Sequence, residues 1–403
     1  MLILLNIVRN KYEYAFFTLF VSLYLSLFKI LSVWGGICTM RNNIYLLVWV
    51  LLLLVSCATD KKSGNADNIL LFDVTKAIKY PMPSSLSPER IINLAFSDST
   101  MIDDNAYLLY DETYFVYSRG SAIAPMHFDK EGNFLNYIGR VGNGPKEYNE
   151  IGDVCLNKRE KTVEILSGSY VYVYDYEGKY IGKLEHEQTA FSFAIDKEGN
   201  HWFYLGNNSV NGESKIVKMD AKCQKLQTFL QEKSTLLPMV EANFGKGAIL
   251  TFKETLSHDI YRVSDGEIRK SYSIDFPHYH LPQELHETSP MEVVPLLQKS
   301  DYASILNYSE NLNYLFLQVL LNKSGQTMPG IYYWIYQKSS GKDIIFSLDQ
   351  SVPFDSYICY PQFLSEDNRL YFMGFLLDER AETTNPEENP SIVIIDINDL
   401  DFN

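Results

Sequence analysis

Cysteine is scarce in this chain, with five in 403 residues. Cys38 and Cys57 fall in the N-terminal region, and Cys155, Cys223 and Cys359 stand far apart with no Cys-x-x-Cys spacing. Three dispersed thiols cannot all pair internally, so a disulfide framework is not indicated, and cysteine-ligated zinc has no ligand set. The three read as buried apolar side chains. Positive charge is also short. Lys and Arg number 35 against 50 Asp and Glu, a net charge of −15. Residues 1–56 hold four basic residues and one acid, so their removal leaves −18. Such a surface repels a phosphate backbone, and nucleic acid is not expected as a partner. A phosphate-binding loop is missing as well. Gly142 and Gly144 are followed by Pro145-Lys146-Glu147 and a strand near Ile151, not by Lys-Ser/Thr and a helix. These glycines are read as positive-φ positions in a link between elements, with Pro145 stiffening it.

Long apolar runs are present, all near the N-terminus. Residues 14–28 are almost wholly apolar, Lys29 interrupts, and 30–37 continue. A membrane span needs about 20 apolar residues, and the charge at Lys29 argues against one here. Residues 1–39 are read as an over-extended start preceding Met40, the alternative being an uncleaved N-terminal anchor. From Met40 the layout is that of a secretory signal: Arg41, an apolar run over 44–55, then small Ser56. The ending Leu54-Val55-Ser56-Cys57 resembles a bacterial lipobox, which implies cleavage before Cys57 and lipidation of its thiol. Residues 40–56 are then the signal. Residues 57–68, with Lys61, Lys62, Ser63, Gly64 and Asn65, form a flexible tether. Residues 69–403 are expected to fold as one domain.

That domain repeats itself, and a repeat period constrains a fold before any single element does. The unit is an aromatic or branched strand, an Asp or other polar residue, a short turn with Gly, and another strand. It reads Met126-His127-Phe128-Asp129-Lys130-Glu131-Gly132, then Tyr172-Val173-Tyr174-Asp175-Tyr176-Glu177-Gly178. Residues 216–220 repeat it with a turn that lacks Gly, and 260–266 with a shortened turn; 333–341 and 392–396 are later versions. With Asp129, Asp175, Asp220, Asp265, Gln337 and Asp396 as markers, the spacings are 46, 45, 45, 72 and 59. The first three match a four-stranded propeller blade, whose repeat is about 40–50 residues. Insertions over 277–300 and 378–390 account for the longer two. The fold class is therefore all-β: a six-bladed β-propeller of four-stranded antiparallel blades, with a short helical insertion between blades four and five.

The local pattern agrees. Runs such as 162–166, 170–174, 180–184 and 201–205 are rich in Val, Ile, Tyr and Phe and are closed by Gly, Asn or Asp. Stacking blades radially buries both faces of each small sheet, which gives the 29 Tyr and 23 Phe a packing role. Each marker sits between the third and fourth strands of its blade. After Asp396 only residues 397–403 remain, so an N-terminal strand must complete the last blade. Residues 91–96 are expected to do so, ahead of 69–74.

One stretch carries a family resemblance. Phe134-Leu135-Asn136-Tyr137-Ile138-Gly139-Arg140-Val141-Gly142-Asn143-Gly144-Pro145-Lys146-Glu147-Tyr148 resembles the hallmark of the Bacteroidetes six-bladed β-propeller lipoproteins, which are akin to NHL-type propellers. Their pattern is a strand, Ile-Gly, then Gly-x-Gly-Pro-x-Glu-Tyr. The resemblance implies a propeller anchored by lipid in the cell envelope of a gut-type anaerobe, at the outer membrane. It implies no common reaction.

No catalytic signature occurs, and no catalytic residue is assigned. The insertion over 277–300 holds the one histidine cluster, His278, His280 and His286, with Glu284 and Glu287 nearby. His-x-His on an extended segment puts both rings on one face, which suits a metal. No inward-facing scaffold is legible, so these are read first as solvated loop groups. Ser289-Pro290-Met291-Glu292 reads as a capping box with Pro at the first helical position, opening a short helix to about Lys299 that contains Pro295. The insertion is expected to rim one mouth of the tunnel and to meet a partner. Two function classes follow. One is an envelope binding module that takes a protein, peptide or glycan. The other is a metal-dependent propeller hydrolase, lactonase or lyase, which needs several carboxylates or histidines converging on the axis. The expected first strands (107–110, 151–156, 190–195, 241–244, 305–308, 359–364) offer only scattered acids such as Asp153 and Glu241. Binding is favoured on that ground, and no cofactor is predicted.

Overall fold

A computed structural model of the protein describes residues 68–78, 87–186, 189–206, 214–231, 243–326, 328–348, 357–378, 383–384, 388–398, 400 and 402. The expected signal, the thiol of Cys57 and the tether up to residue 67 lie outside them, as do residues 1–39 and Glu241. The described chain begins with two short strands, β1 (Ile69–Leu71) and β2 (Arg90–Asn93). Blade one follows as β3 (Tyr107–Asp111), β4 (Thr113–Tyr117), β5 (Met126–Phe128) and β6 (Phe134–Tyr137). Blade two is β7 (Asp153–Asn157), β8 (Thr162–Ser167), β9 (Tyr170–Asp175) and β10 (Tyr180–Glu185). Blade three is β11 (Ser192–Ile195), β12 (His201–Tyr204), β13 (Ser214–Met219) and β14 (Lys225–Gln231). Blade four is β15 (Phe244–Lys246), β16 (Leu250–Lys253), β17 (Asp259–Ser264) and β18 (Glu267–Asp275). A helix, α1 (Pro290–Gln298), precedes blade five, which is β19 (Tyr302–Glu310), β20 (Tyr314–Asn322), β21 (Gly330–Gln337) and β22 (Asp343–Leu348). Blade six has β23 (Tyr357–Leu364), β24 (Arg369–Asp378) and β26 (Ser391–Asp396), with the two-residue β25 (Thr383–Thr384) beside β24. The protein is a six-bladed β-propeller of four-stranded antiparallel sheets.

Asp129, Asp220 and Asp265 fall between the third and fourth strands of their blades, and Asp175, Gln337 and Asp396 are the last residues of third strands. The Asp is there because one carboxylate can fold the turn. Asp129 Oδ1 accepts the backbone N–H groups of Glu131 (2.9 Å) and Asn133 (2.8 Å). Asp220 does the same for Lys222 (2.8 Å) and Gln224 (2.9 Å). The residue three after the Asp must take positive φ, which Gly132 (φ 89°) and Gly178 (φ 79°) do without a Cβ penalty. In the turn that lacks Gly, Cys223 holds that conformation at φ 59°. The 72-residue spacing also has a second source besides the insertion: β19 and β20 run nine residues each and β21 eight.

Hydrophobic side chains gather at the seams. Leu109 and Phe115 of blade one meet Val154, Val163 and Tyr174 of blade two. Val171 meets Phe193 and Phe203 across the next seam, and Trp202 meets Phe252 across the one after. Ile260 packs on Leu317 and Trp334, and Tyr333 on Phe372. Met373 and Ile394 of blade six close against Val116 and Phe128 of blade one. Cys155 and Cys223 lie in the seam between blades two and three and Cys359 in that between five and six, all buried and unpaired.

The ring closes through the N-terminus. β2 pairs antiparallel with β26, Arg90 opposite Ile394 and Asn93 opposite Ser391, and so supplies the fourth strand of blade six. The other expected segment has its own place. β1 pairs parallel with β18 as a fifth strand on blade four. Phe72 is buried between blades four and five, and the Ile78 N–H donates to Ile345 O at 2.8 Å on blade five. The leading segment is thus a strap over three consecutive blades.

The insertion between blades four and five folds as a 3₁₀ turn (Gln283–His286) and α1. Leu285, Val293 and Leu297 pack on Leu256, from the loop joining the second and third strands of blade four, with Tyr302 beside them. Ser289 is the N-cap, but its hydroxyl meets Glu292 Oε2 at 3.0 Å and caps no backbone N–H, so the expected capping box is not made.

Candidate functional site

Among the described residues, one inner strand opens on a buried carboxylate. Asp153 opens β7 and is fully buried. Its Oδ1 accepts from Tyr117 OH (2.8 Å), Val154 N (2.9 Å) and Lys246 Nζ (2.5 Å). Its Oδ2 accepts from Ser192 Oγ (3.0 Å) and Phe193 N (3.1 Å). Lys246 also donates to Tyr117 OH (3.1 Å) and Val154 O (2.5 Å), so all three ammonium protons have acceptors. Burial opposes the charge on Asp153, but Lys246 and Arg119 outweigh it and hold the carboxyl below its ordinary range. Burial and the same carboxylate push the Tyr117 hydroxyl well up. The four side chains come from blades one, two, three and four, so the network is a joint between blades.

Two further carboxylates are buried away from it. Glu310 accepts a fork from Arg262 (3.0 and 2.9 Å) and Lys338 Nζ at 2.6 Å. Glu164 takes His201 Nε2 at 2.6 Å and Asn157 Nδ2 at 3.0 Å. Each is matched within the fold. Among the described residues no group of three or more His, Cys, Asp or Glu could hold a metal ion.

Beside the Asp153 joint lies a cavity of about 290 Å³. Inner and second strands line it: Tyr107 and Tyr117 from blade one, Asn243, Lys246, Thr251 and Lys253 from blade four, Asn307 from blade five and Gln362 from blade six are among its walls. Tyr107 and Tyr117 stack with centroids 5.2 Å apart. No residue of the insertion is in the lining. His278 and His280 are exposed on the insertion, and His286 ends its 3₁₀ turn. Asp153 was legible as an acid on a first strand. Lys246 was not, because Gly245-Lys246-Gly247 reads as a turn.

The glycine-rich stretch differs from the expected conformation. Gly142 and Gly144 do not take positive φ; Gly139 does, at 65°. A Cβ on Gly142 would stand 2.2 Å from Glu147 Oε2, and one on Gly144 would stand 2.9 Å from the same carboxylate. The loop closes on Glu147, whose Oε2 accepts Gly144 N at 2.9 Å. Tyr148 is buried and donates to Ile138 O at 2.8 Å.

Comparison with known proteins agrees with this architecture. Residues 73–396 match the family described as Domain of unknown function (DUF4934). A Bacteroides fragilis protein classed as exported superposes with a TM-score of 0.65 at 16% identity, over 81% of this chain and 99% of that one. The Pan2 WD40 domain of Neurospora crassa gives a TM-score of 0.39 at 9% identity, over 75% and 99% of the two chains. A Bacteroides caccae protein of unknown function gives 0.36 at 9% identity, over 62% and 89%. No curated protein matches the chain.

Proposed function

The chain belongs to the DUF4934 family, and we propose that it is a binding module of the cell envelope, held to the outer membrane by lipid on Cys57. One observation carries the binding reading. The carboxylate of Asp153, on an inner strand, is spent on bonds within its own fold, and a cavity lies beside it. A metal-dependent hydrolase needs the opposite arrangement, with free ligands converging on the axis. The lipobox supports the anchor, and the likeness to an exported Bacteroides protein supports the compartment. Partners reach the module in two ways: a small group at the cavity, and a protein or peptide at the insertion. Met291 and Val294 project from α1, 87% and 46% exposed, while Val293 and Leu297 of the same helix are buried. Recovery of partners from envelope extracts tests the module. Wild type should capture a partner that the variant Met291→Asp/Val294→Asp loses. If neither captures any envelope component, the reading is overturned.

A further inference from the structure

We infer that the edge at which the chain enters the propeller, β1 and the strap behind it, lies against the surface of a lipid bilayer. This rests on the anchor proposed at Cys57 and gives the anchored domain an orientation. The starting point is where exposed aliphatic side chains fall. The outer strands of blades one, two, three and six each expose one: Leu135, Ile181, Leu226 and Ile91. The strap exposes three within ten residues: Ile69 (64%), Leu71 (51%) and Ile78 (43%). Ile69 and Leu71 are two apart on one strand and so point the same way, while Leu70 and Phe72 pack between blades four and five. Among the described residues no strand lies outside β1. Single apolar residues on a surface are ordinary, but a row of them along an open edge marks a contact.

Chain length says what the contact is. Asn68 is fixed to β18: its Nδ2 donates to Ser271 O at 3.3 Å, and its carbonyl accepts Ser273 N at 3.1 Å. It stands 11 residues on from Cys57. Even fully extended, such a stretch reaches no more than about 40 Å. A lipid on Cys57 therefore holds this edge nearer the bilayer than any other. Charge permits the approach. On the strap and β18, Asp73, Glu267 and Asp275 are balanced by Lys76, Arg269 and Lys270. The edge is thus neutral in a chain of net charge −15, and anionic headgroups do not repel it. The outer backbone of β1 limits the depth. Its N–H and C=O groups on the open side need water or headgroups, so the edge rests in the headgroup layer and does not enter hydrocarbon.

The test is fluorescence quenching with the full chain, produced in a lipoprotein-processing bacterium and reconstituted into phosphatidylethanolamine–phosphatidylglycerol vesicles that carry a nitroxide-headgroup lipid. Leu71→Cys takes a thiol-reactive dye. Cys155, Cys223 and Cys359 are buried, and on the proposed anchor Cys38 leaves with the signal and Cys57 is capped by lipid. Leu135→Cys, on blade one and three blades away round the ring, takes the same dye as the control. Both positions are exposed, so both variants should fold. Palmitate incorporation is measured on the same preparations. A side chain seated in the headgroup layer meets the nitroxide, so the Leu71 dye should be quenched about twofold or more above the Leu135 dye. Equal quenching in chains that carry palmitate overturns the orientation and leaves the anchor standing. Chains without palmitate overturn the anchor, and the orientation with it. A Leu71 dye shielded from water only at high protein concentration, without quenching by lipid, assigns the edge to a second copy of the chain and also overturns the inference.

Discussion

Gly132 and Asn93 meet where the ring closes. A Cβ on Gly132 would lie 2.3 Å from the carbonyl oxygen of Asn93, on the strand that completes blade six. Gly178 stands in the same relation to Tyr137 O one seam on, at 2.2 Å. The turn glycine of each of these blades is therefore a seat for the outer strand of the blade before it.

Gly132→Ala should cost about 2 kcal/mol or more, since it adds a backbone collision to the 1–2 kcal/mol of a left-handed residue. Gly120→Ala is the control. Gly120 has φ 70° but nothing within 4 Å of its Cβ direction, so only the conformational part applies. Chemical denaturation of both variants checks this; equal losses would show that the seat does not matter.

The Asp153–Lys246 pair should behave as a buried charge joint. Asp153→Ala strands an ammonium that is 14% exposed and should cost about 3–5 kcal/mol. Asp153→Leu combined with Lys246→Met removes both charges and should recover most of that loss. Urea midpoints of the single and double variants decide it. A double variant no more stable than Asp153→Ala would contradict the assignment.

Stability should carry a pH signature from His201. Burial lowers the affinity of this ring for a proton, but Glu164 at 2.6 Å outweighs it, and the pKa is raised above 6.5. A raised pKa means that the folded state binds the proton more tightly. The stabilisation is complete below the ordinary histidine value and is lost as pH climbs through the raised one. His127 and His258, lowered mainly by burial, pull the other way and lose stability as pH falls. The informative quantity is therefore the melting temperature of wild type minus that of His201→Gln, which should shrink as pH rises from about 6.5. A difference independent of pH would rule the pair out as the source.

Anchoring is tested at one atom. Cys57→Ser should leave an unprocessed precursor or a protein released from membranes, and it should take up no labelled palmitate. Normal labelling of that variant would end the lipid proposal.

Much of the fold was legible because its signal is local. A polar residue at the end of the third strand recurs at each blade, an Asp that folds its own turn at positions 129, 175, 220 and 396, and six such positions count the blades without any knowledge of their packing. Closure was legible by subtraction, since too few residues follow Asp396 for another strand. The site was not legible, for the opposite reason. Lys246 and Asp153 are 93 positions apart and share no period. The histidines drew attention because composition is local, yet the fold leaves His278 and His280 on the outside. Gly142 and Gly144 were read as positive-φ positions and are not, and their closeness to the Glu147 carboxylate cannot be seen before the loop is closed.

The strap over blades four, five and six also sets an order of events in time. The chain leaves the ribosome N-terminus first, so β1 emerges before any of its partners exist. The Asn68 side chain donates to Ser271 O, 203 positions later, and Arg90 pairs with Ile394 nearer the far end of the chain. Until β26 has been delivered, β2 has no strand to pair with and blade six lacks its outer strand. Non-local pairings of this kind are slow and leave edges exposed while they wait. Removing residues 69–96 should make that waiting state permanent, and aggregation of the truncated chain would report it; a soluble truncation that melts cooperatively would argue against it. A chain broken off anywhere before Ser391 cannot be sealed, so the closed ring is in effect a receipt for complete delivery.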